Sequence, residues 1–169
     1  MGSSAEWMIE GDELLALIRE RIAAGQTIRY LPFRGVSMMP MLRQGRDVVE
    51  IAPLPAKLKK YDLPVYQYPS GKVVMHRVVA VKDDHYLCLG DNTYSYEKIT
   101  PDMMIAVVSA FKRGSKRIEV SSPLYRCYSR IWVAIYPIRK AWRPVKLAVK
   151  RVLRPILKPI LQPILRRFR

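Results

Sequence analysis

The residues best suited to covalent chemistry are a serine and a histidine that lie 39 positions apart. Ser37 stands in the segment RGVSMMPML, between Gly35 and Pro40, two residue types that favour tight turns and can present a hydroxyl. His76 follows in the apolar segment VVMHRVV. A serine hydroxyl barely ionises near neutral pH, so it attacks a carbonyl only beside a base, with donors for the developing oxyanion. The pair therefore suggests acyl-transfer chemistry, if the fold brings both side chains together.

Each of these residues also has an ordinary structural explanation. A lone loop serine more often closes a turn, and a histidine in an apolar run more often packs in a core. Asp91, in LGDN, could orient an imidazole, although Gly-Asp-Asn is also a common turn composition. The second histidine, His85, follows two aspartates in a segment that we interpret as a hairpin turn, and we expect it to be solvated.

The elements that must position these groups are mainly short strands. The N-terminal segment covers residues 1–26. Within it, the apolar stripe of residues 12–24 predicts an amphipathic helix that ends at Gly25. Residues 27–121 predict a mainly β body, antiparallel and barrel-like or sandwich-like, from runs rich in Val, Ile and Tyr that turn residues separate. These runs are TIRYLPF, DVVEIA, LPVYQYP, KVVMHRVVAV, HYLCL, MIAVVSAF and RIEV.

Charge is concentrated at the C-terminal end. The 169 residues carry 30 Lys and Arg against 14 Asp and Glu, and residues 120–169 hold 13 of the bases and none of the acids. Residues 122–169 therefore form a predicted basic tail, partly helical, with interleaved aromatics and the repeat RPIL, KPIL, QPIL. This composition favours an anionic membrane surface as partner. The alternatives are nucleic acid, a solvated basic arm, or a docking segment for an acidic partner.

Several classes of protein are excluded by what the chain lacks. It has no apolar run of the roughly 20 residues that a spanning helix needs, and its acidic first residues do not resemble a secretory signal. Cys88 and Cys127 are too few for a disulfide framework, and their spacing does not indicate a zinc site. We expect no metal or cofactor, reduced thiols, and a location in the cytoplasm or at the periphery of a membrane.

The order of the motifs resembles the signal peptidase I and LexA-like serine peptidase superfamily, over about residues 28–114. In that superfamily G-x-S-M-x-P carries the catalytic serine, G-D-x-V follows, then a strand with the general base, then G-D-N. The first element is matched here around Ser37, and GRDVV matches the second except that Arg46 is inserted. His76-Arg77-Val78 stands where the Ser-His members, such as the endoplasmic-reticulum signal peptidase, have their base.

The resemblance implies a serine endopeptidase on an antiparallel, barrel-like catalytic core. Ser37 would be the nucleophile and His76 the general base. The third member is open between two acids: Asp91 matches the G-D-N element, whereas Glu97 falls near the acid that some Ser-His members place a few residues later.

Two departures from the family pattern support an alternative. Many signal peptidases take their second oxyanion donor from a serine hydroxyl two residues before the nucleophile, and Gly35 occupies that position here. Glu97 stands in place of the acid that the family pattern leads us to expect. The alternative is therefore a catalytically impaired binding or regulatory module of the same fold.

The chain also lacks the N-terminal spanning helix of typical signal peptidases, and residues 1–26 are too few for the DNA-binding domain of the repressors. We therefore expect a stand-alone peptidase core with an added basic tail.

Overall fold

The computed structural model describes residues 12–144, which fall into two compact units. The first unit ends at Val133 and the second begins at Ala134. The elements of this described part, in chain order, are α1 (Asp12–Ala23), β1 (Ile28–Leu31), β2 (Asp47–Ala52), β3 (Pro64–Gln67), β4 (Val73–Met75), β5 (Arg77–Val81), β6 (Tyr86–Leu89), β7 (Glu97–Ile99), a 3-10 helix (Pro101–Met103), β8 (Met104–Arg113), β9 (Lys116–Glu119) and α2 (Pro123–Ala134).

Two antiparallel sheets make up the first unit. The larger sheet has the order β1-β2-β8-β3-β4, with β9 also paired to β8, and the smaller sheet has the order β5-β6-β7. The long strand β8 joins the larger sheet because it pairs with β2, β3 and β9. The mainly antiparallel β body that the sequence predicts is confirmed. Barrel closure is not found among the described strands, since each sheet keeps unpaired edges.

The N-terminal helix α1 covers one face of the larger sheet. Ile18 and Ile22 are buried in a core cluster with residues of the strands, and burial of each aliphatic side chain contributes roughly 1.5–3 kcal/mol. The helix stops where the sequence predicts. Gly25 adopts a φ of +77° and its N–H donates to the carbonyl of Ile22, while the N–H of Gln26 donates to the carbonyl of Arg21. These two bonds form a Schellman cap, which requires a left-handed residue and therefore favours glycine.

The strand around His76 differs from the sequence prediction in one respect that matters for the site. A single strand was expected over KVVMHRVVAV, but β4 ends at Met75 in the larger sheet and β5 begins at Arg77 in the smaller one. His76 is thus the junction at which the chain passes from one sheet to the other. The predicted alternation of side chains between the two faces of the segment still holds. Met75 packs in the first core cluster, whereas Val74 and Val78 pack in the second.

The boundary of the tail also differs from the sequence expectation. A tail was expected from residue 122, whereas the first compact unit continues to Val133 and includes almost all of α2. Helix α2 belongs to this unit because Tyr125 and Ser129 are buried and their hydroxyls bond to Arg77. Sequence patterns do not reveal such a buried polar contact.

The second unit is described only as far as residue 144. Residues 136–144 are helical, and the cations of Arg139 and Lys140 lie over the ring of Tyr136, 5.8 and 6.0 Å from its centroid. Within residues 12–144 no helix combines the length and apolar character needed to cross a bilayer. The predictions for the proline repeat and for the first residues of the chain concern segments outside the described residues.

Candidate active site

The structure brings Ser37 and His76 together. The Oγ of Ser37 lies 3.0 Å from Nε2 of His76, a hydrogen-bonding distance. Ser37 opens the turn that follows Gly35, whose φ of +98° suits glycine, and His76 sits at the junction of β4 and β5. Ser37 is only 1% exposed and His76 is fully buried, which shields their hydrogen bond from competing water.

Glu97, and not Asp91, lies against the other side of the imidazole. Its Oε2 is 2.7 Å from Nδ1 of His76. If Nδ1–H donates to this carboxylate, Nε2 keeps its lone pair toward Ser37 and can accept the hydroxyl proton. Burial raises the pKa of Glu97, but its interaction with His76 and the hydrogen bonds from two tyrosines outweigh this effect and hold the pKa below its usual range.

Two tyrosines fix the Glu97 carboxylate. The hydroxyl of Tyr66 donates to Oε2 of Glu97 and also lies 3.2 Å from Nδ1 of His76, and Tyr68 donates a second hydrogen bond to the carboxylate. Burial and the negative charge of Glu97 raise the pKa of both phenols. Both hydroxyls therefore stay protonated at neutral pH and act as donors to the carboxylate.

Asp91 has a different partner. Arg77 donates to it in a bidentate manner, from Nε to Oδ1 at 2.9 Å and from Nη2 to Oδ2 at 2.8 Å, and both side chains are buried. The sequence left Asp91 and Glu97 as alternatives for the acid beside the histidine. The structure places Glu97 there and gives Asp91 to the neighbouring arginine. His76 and Arg77 are consecutive residues, and side chains at successive strand positions point to opposite faces. Asp91 binds Arg77, so the expectation that Asp91 orients the imidazole does not agree with this geometry.

The Arg77–Asp91 pair connects the site to helix α2. The Nη1 of Arg77 donates to the hydroxyls of Tyr125 at 2.9 Å and Ser129 at 2.8 Å, and the indole N–H of Trp132 donates to the main-chain oxygen of Asp91 at 2.9 Å. A buried charge is tolerated only when it is paired and hydrogen-bonded in this way. Helix α2 therefore supports both the histidine strand and the loop that carries Asp91.

The loop after β6 closes over the serine. The N–H of Asn92 donates to the main-chain oxygen of Ser37 at 2.6 Å, and its side-chain amide donates to the oxygen of Val36 at 3.2 Å. Gly90 is required by close approach, because a Cβ there would lie 2.9 Å from Nε2 of His76 and 2.9 Å from the oxygen of Ser37. In the G-D-N segment, Gly90 thus allows close packing against His76, Asp91 binds Arg77, and Asn92 holds the backbone of the serine loop.

The position that holds a serine in many signal peptidases is bound to a glutamine here. The N–H of Gly35 donates to Oε1 of Gln44 at 2.8 Å, which ties the start of the serine loop to the following turn. The amide of Gly35 therefore already has an acceptor. Gln44 was not singled out from the sequence, and a glutamine in a polar turn carries no signal of this role.

The GRDVV element has a structural role away from the histidine. Asp47, at the start of β2, is buried and accepts hydrogen bonds from Arg46 at 2.7 Å and from Arg113 at 3.2 Å. Burial would raise the pKa of Asp47, but the two arginines and the N–H of Arg43 outweigh it and lower the pKa. The inserted Arg46 is thus accommodated as an ion-pair partner of the matching aspartate.

The remaining reactive side chains do not compete with Ser37. Burial and the charge of Glu97 raise the pKa of the Cys88 thiol to about 12, so it is protonated and unreactive near neutral pH. His85 lies in the β5–β6 turn, as predicted, and is paired with Asp84, but its side chain is only 18% exposed, so the expectation that it is solvated is not met. Both cysteines are free thiols, and within residues 12–144 no group of three His, Cys, Asp or Glu side chains could hold a metal ion.

Comparisons of the chain with protein-family models, with curated proteins and with solved structures found no match in any of the three. The chemistry assigned to the site therefore depends on its geometry. The central feature is a serine, a histidine and a glutamate in hydrogen-bonding sequence, drawn from a loop, a junction between two sheets and an edge strand.

Proposed function

We propose that this protein is a serine endopeptidase of the signal-peptidase-like type, with Ser37 as nucleophile, His76 as general base and Glu97 as the orienting acid. The observation that carries the proposal is the continuous chain of contacts from Ser37 Oγ to His76 Nε2, at 3.0 Å, and from His76 Nδ1 to Glu97, at 2.7 Å. Nucleophile, base and orienting group in this order are the arrangement that activates a serine on unrelated folds.

The proposed reaction is hydrolysis through an acyl-enzyme. Nε2 of His76 takes the proton of Ser37 as Oγ attacks the carbonyl carbon of a peptide bond, and Glu97 stabilises the imidazolium that forms. The imidazolium then gives that proton to the leaving amine as the C–N bond breaks. Water, deprotonated by His76, attacks the resulting ester and releases the acid with Ser37 restored.

Substrate access is part of this proposal because Ser37 is almost fully covered. Val36 beside it is 42% exposed, and Asn92 holds the main-chain oxygens of both residues. A peptide carbonyl reaches Oγ when the Asn92 loop moves away from this backbone. A backbone opening of this kind breaks two hydrogen bonds and leaves the contacts of His76 with Glu97 in place.

The burial of Ser37 is also the observation that favours a second candidate. In a non-enzymatic binding or regulatory module of the same fold, the Ser37–His76 bond would be a buried structural contact, and Gly35 in place of a hydroxyl donor would carry no penalty. The two candidates differ in one outcome: biological activity survives the replacement of both Ser37 and His76 by alanine only in the module.

Cleavage of a peptide library, mapped by mass spectrometry, tests the proposal. We expect cuts with the full chain and none with Ser37→Ala. Ser109→Ala is a matched control, since this serine lies on β8, away from His76 in the sheet order, and its hydroxyl donates to the main-chain oxygen of Glu50. Equal cleavage by Ser37→Ala would refute the proposal.

We further propose that the protein works at an anionic membrane surface, to which it attaches peripherally, and that nucleic acid is the less favoured partner. The support is the basic, acid-free composition after residue 119 together with exposed apolar side chains on α2. Phosphate neutralisation alone would not need the apolar side chains.

A further inference from the structure

A cavity of about 540 Å³ lies beside helix α2, next to the side chains that hydrogen-bond to Arg77. Its wall is formed by the segment before β3 and by the first two turns of α2. Four cationic side chains line it: Lys59, Lys60, Arg126 and Arg130. None of the four takes part in the proposed peptidase chemistry.

The charge around the cavity is not balanced by acids. Asp62 is the one carboxylate among the residues that line it, against four cations. Burial raises the pKa of Asp62 against the opposing effects of the N–H and the charge of Lys59. Glu119, just outside, is bound by Arg117 and by the hydroxyl of Ser121. Among the described residues, Arg126 and Arg130 have no ion pair with a carboxylate. Mutual repulsion of these cations costs free energy that a bound anion would recover.

The floor of the cavity is held in place by hydrogen bonds. Tyr125 and Ser129 line it while their hydroxyls bond to Arg77. Tyr61 holds a φ of +85°, an uncommon conformation for a residue with a side chain, and its N–H donates to the oxygen of Val78 at 2.8 Å. Strain of this kind persists only where surrounding contacts enforce it, and it concentrates at ligand sites.

The two arginines also border exposed apolar surface. The outer side of α2 runs from Arg126 and Arg130, at the rim of the cavity, past Cys127 to Ile131. Ile131 is 54% exposed, and Leu124, two turns earlier on the same side, is 81% exposed. A soluble anion would bind to the cations alone and would not require an apolar border. A lipid would use both the cations and the apolar border, since its headgroup is anionic and its acyl chains are apolar.

We propose that this cavity binds the phosphate of an anionic phospholipid headgroup, with Leu124 and Ile131 entering the acyl boundary of the membrane. Arg126, Arg130 and the lysines before β3 hold the phosphate, because guanidinium groups match its geometry with paired hydrogen bonds. The site deepens the proposed membrane attachment but does not depend on peptidase activity. It can therefore stand or fall separately from the function of Ser37.

Flotation of the full chain with vesicles tests the proposal. Phosphatidylcholine vesicles with and without phosphatidylglycerol are compared at physiological salt, for the wild type and for the double variant Arg126→Gln/Arg130→Gln. The matched control, Arg21→Gln/Lys116→Gln, removes the same charge from exposed positions that do not line the cavity. Residues after Ala134 are identical in every variant, so their contribution cancels.

We expect the cavity variant to bind anionic vesicles about 30-fold more weakly, since each of the two cations at the surface contributes about fivefold. The control should lose less than about threefold. Lys60→Gln provides an exposed single variant if the double variant does not fold, and thermal unfolding checks each protein. Equal losses in the cavity and control variants would overturn the proposal, as would equal binding to vesicles without phosphatidylglycerol.

Two further arms separate the lipid from other sources of phosphate. We expect glycerol 1-phosphate to bind weakly to the cavity. Leu124→Ser/Ile131→Ser should weaken vesicle binding and leave this binding of glycerol 1-phosphate unchanged. Vesicle binding that is unaffected by this apolar variant would assign the cavity to a soluble phosphate ester and contradict the proposal. Retention of a DNA duplex that depends on Arg126 and Arg130, without vesicle binding, would assign it to nucleic acid and contradict it equally.

Discussion

Oε2 of Glu97 lies 2.7 Å from Nδ1 of His76. This contact determines which nitrogen of the ring faces the serine, and it makes a glutamate the acid of the proposed triad. A glutamate has one more methylene than an aspartate and therefore more rotational freedom. Here that freedom is removed by hydrogen bonds from Tyr66 and Tyr68. The Glu97–His76 contact, the two tyrosine hydrogen bonds and the burial of the His76 ring all hold the imidazole in place. A change to any of them should therefore alter activity or stability.

Replacement of Glu97 by glutamine should leave the fold intact and lower kcat by about 10³- to 10⁴-fold. The amide cannot stabilise an imidazolium and favours the tautomer that turns a protonated nitrogen toward Ser37. Steady-state kinetics on a cleaved peptide measure the effect. Glu119→Gln, at an exposed position of β9, is the matched control and should retain wild-type kcat. A kcat for Glu97→Gln within threefold of the wild type would remove Glu97 from the mechanism.

Tyr66→Phe should lower kcat/KM about tenfold or more, because a hydrogen bond to a charged carboxylate is lost. The pH profile gives the more specific readout. Donation from Tyr66 helps to lower the pKa of Glu97, so its removal raises that pKa and moves the part of the acidic limb that reflects protonation of Glu97 to higher pH. Tyr86→Phe, in the same core cluster, should leave the limb in place. An unchanged limb in Tyr66→Phe would show that the tyrosine acts only through packing.

Gly90→Ala should reduce activity by at least about 100-fold, since its Cβ would displace His76 from Ser37. The same crowding should cost roughly 1–3 kcal/mol of the free energy of unfolding. Gly71→Ala is the control for added Cβ strain, because Gly71 has a φ of +84° but open space around it. Kinetics and chemical denaturation measure both effects. Full activity of Gly90→Ala would contradict the described packing of the loop against the histidine.

Asp91→Ala should destabilise the protein by roughly 3–5 kcal/mol, because it leaves the buried guanidinium of Arg77 without its carboxylate. The acidic limb of the pH profile should remain at its wild-type position in the protein that stays folded, since Glu97 and His76 keep their contact. Denaturant titration and the pH dependence of kcat/KM provide the two measurements. A displaced limb with unchanged stability would transfer the catalytic role from Glu97 back to Asp91.

The pairing of Ser37 with His76 could be anticipated from motif order, but the identity of the acid could not. Asp91 and Glu97 are close in sequence, and the choice between them depends on strand register. In the structure Glu97 pairs with Cys88 on β6, and Tyr66 pairs with Val74, the residue two positions before His76 on the same face. Strand registers of this kind follow from packing of the whole sheet. The contacts of Glu97 and Tyr66 with His76 could therefore not be predicted from the sequence.

The division of the β body into two sheets was less predictable than its class. The runs of Val, Ile and Tyr indicated antiparallel strands because alternation marks half-buried strands. The same pattern continued through His76 and concealed the passage between the two sheets. The position of α2 was missed for a related reason: composition after Ser121 is basic and aromatic, whereas the decisive feature is a hydrogen bond from buried Arg77 to Ser129.

Intact-protein mass spectrometry after treatment with a fluorophosphonate tests the central claim most directly, because the reagent reports an activated serine without requiring the substrate to be known. We predict a single adduct on the folded wild type, mapped to Ser37, absent in Ser37→Ala and formed about 10³-fold more slowly in His76→Ala. Absence of an adduct on the wild type, or an adduct that persists in Ser37→Ala, would contradict the proposal that Ser37 is a nucleophile activated by His76.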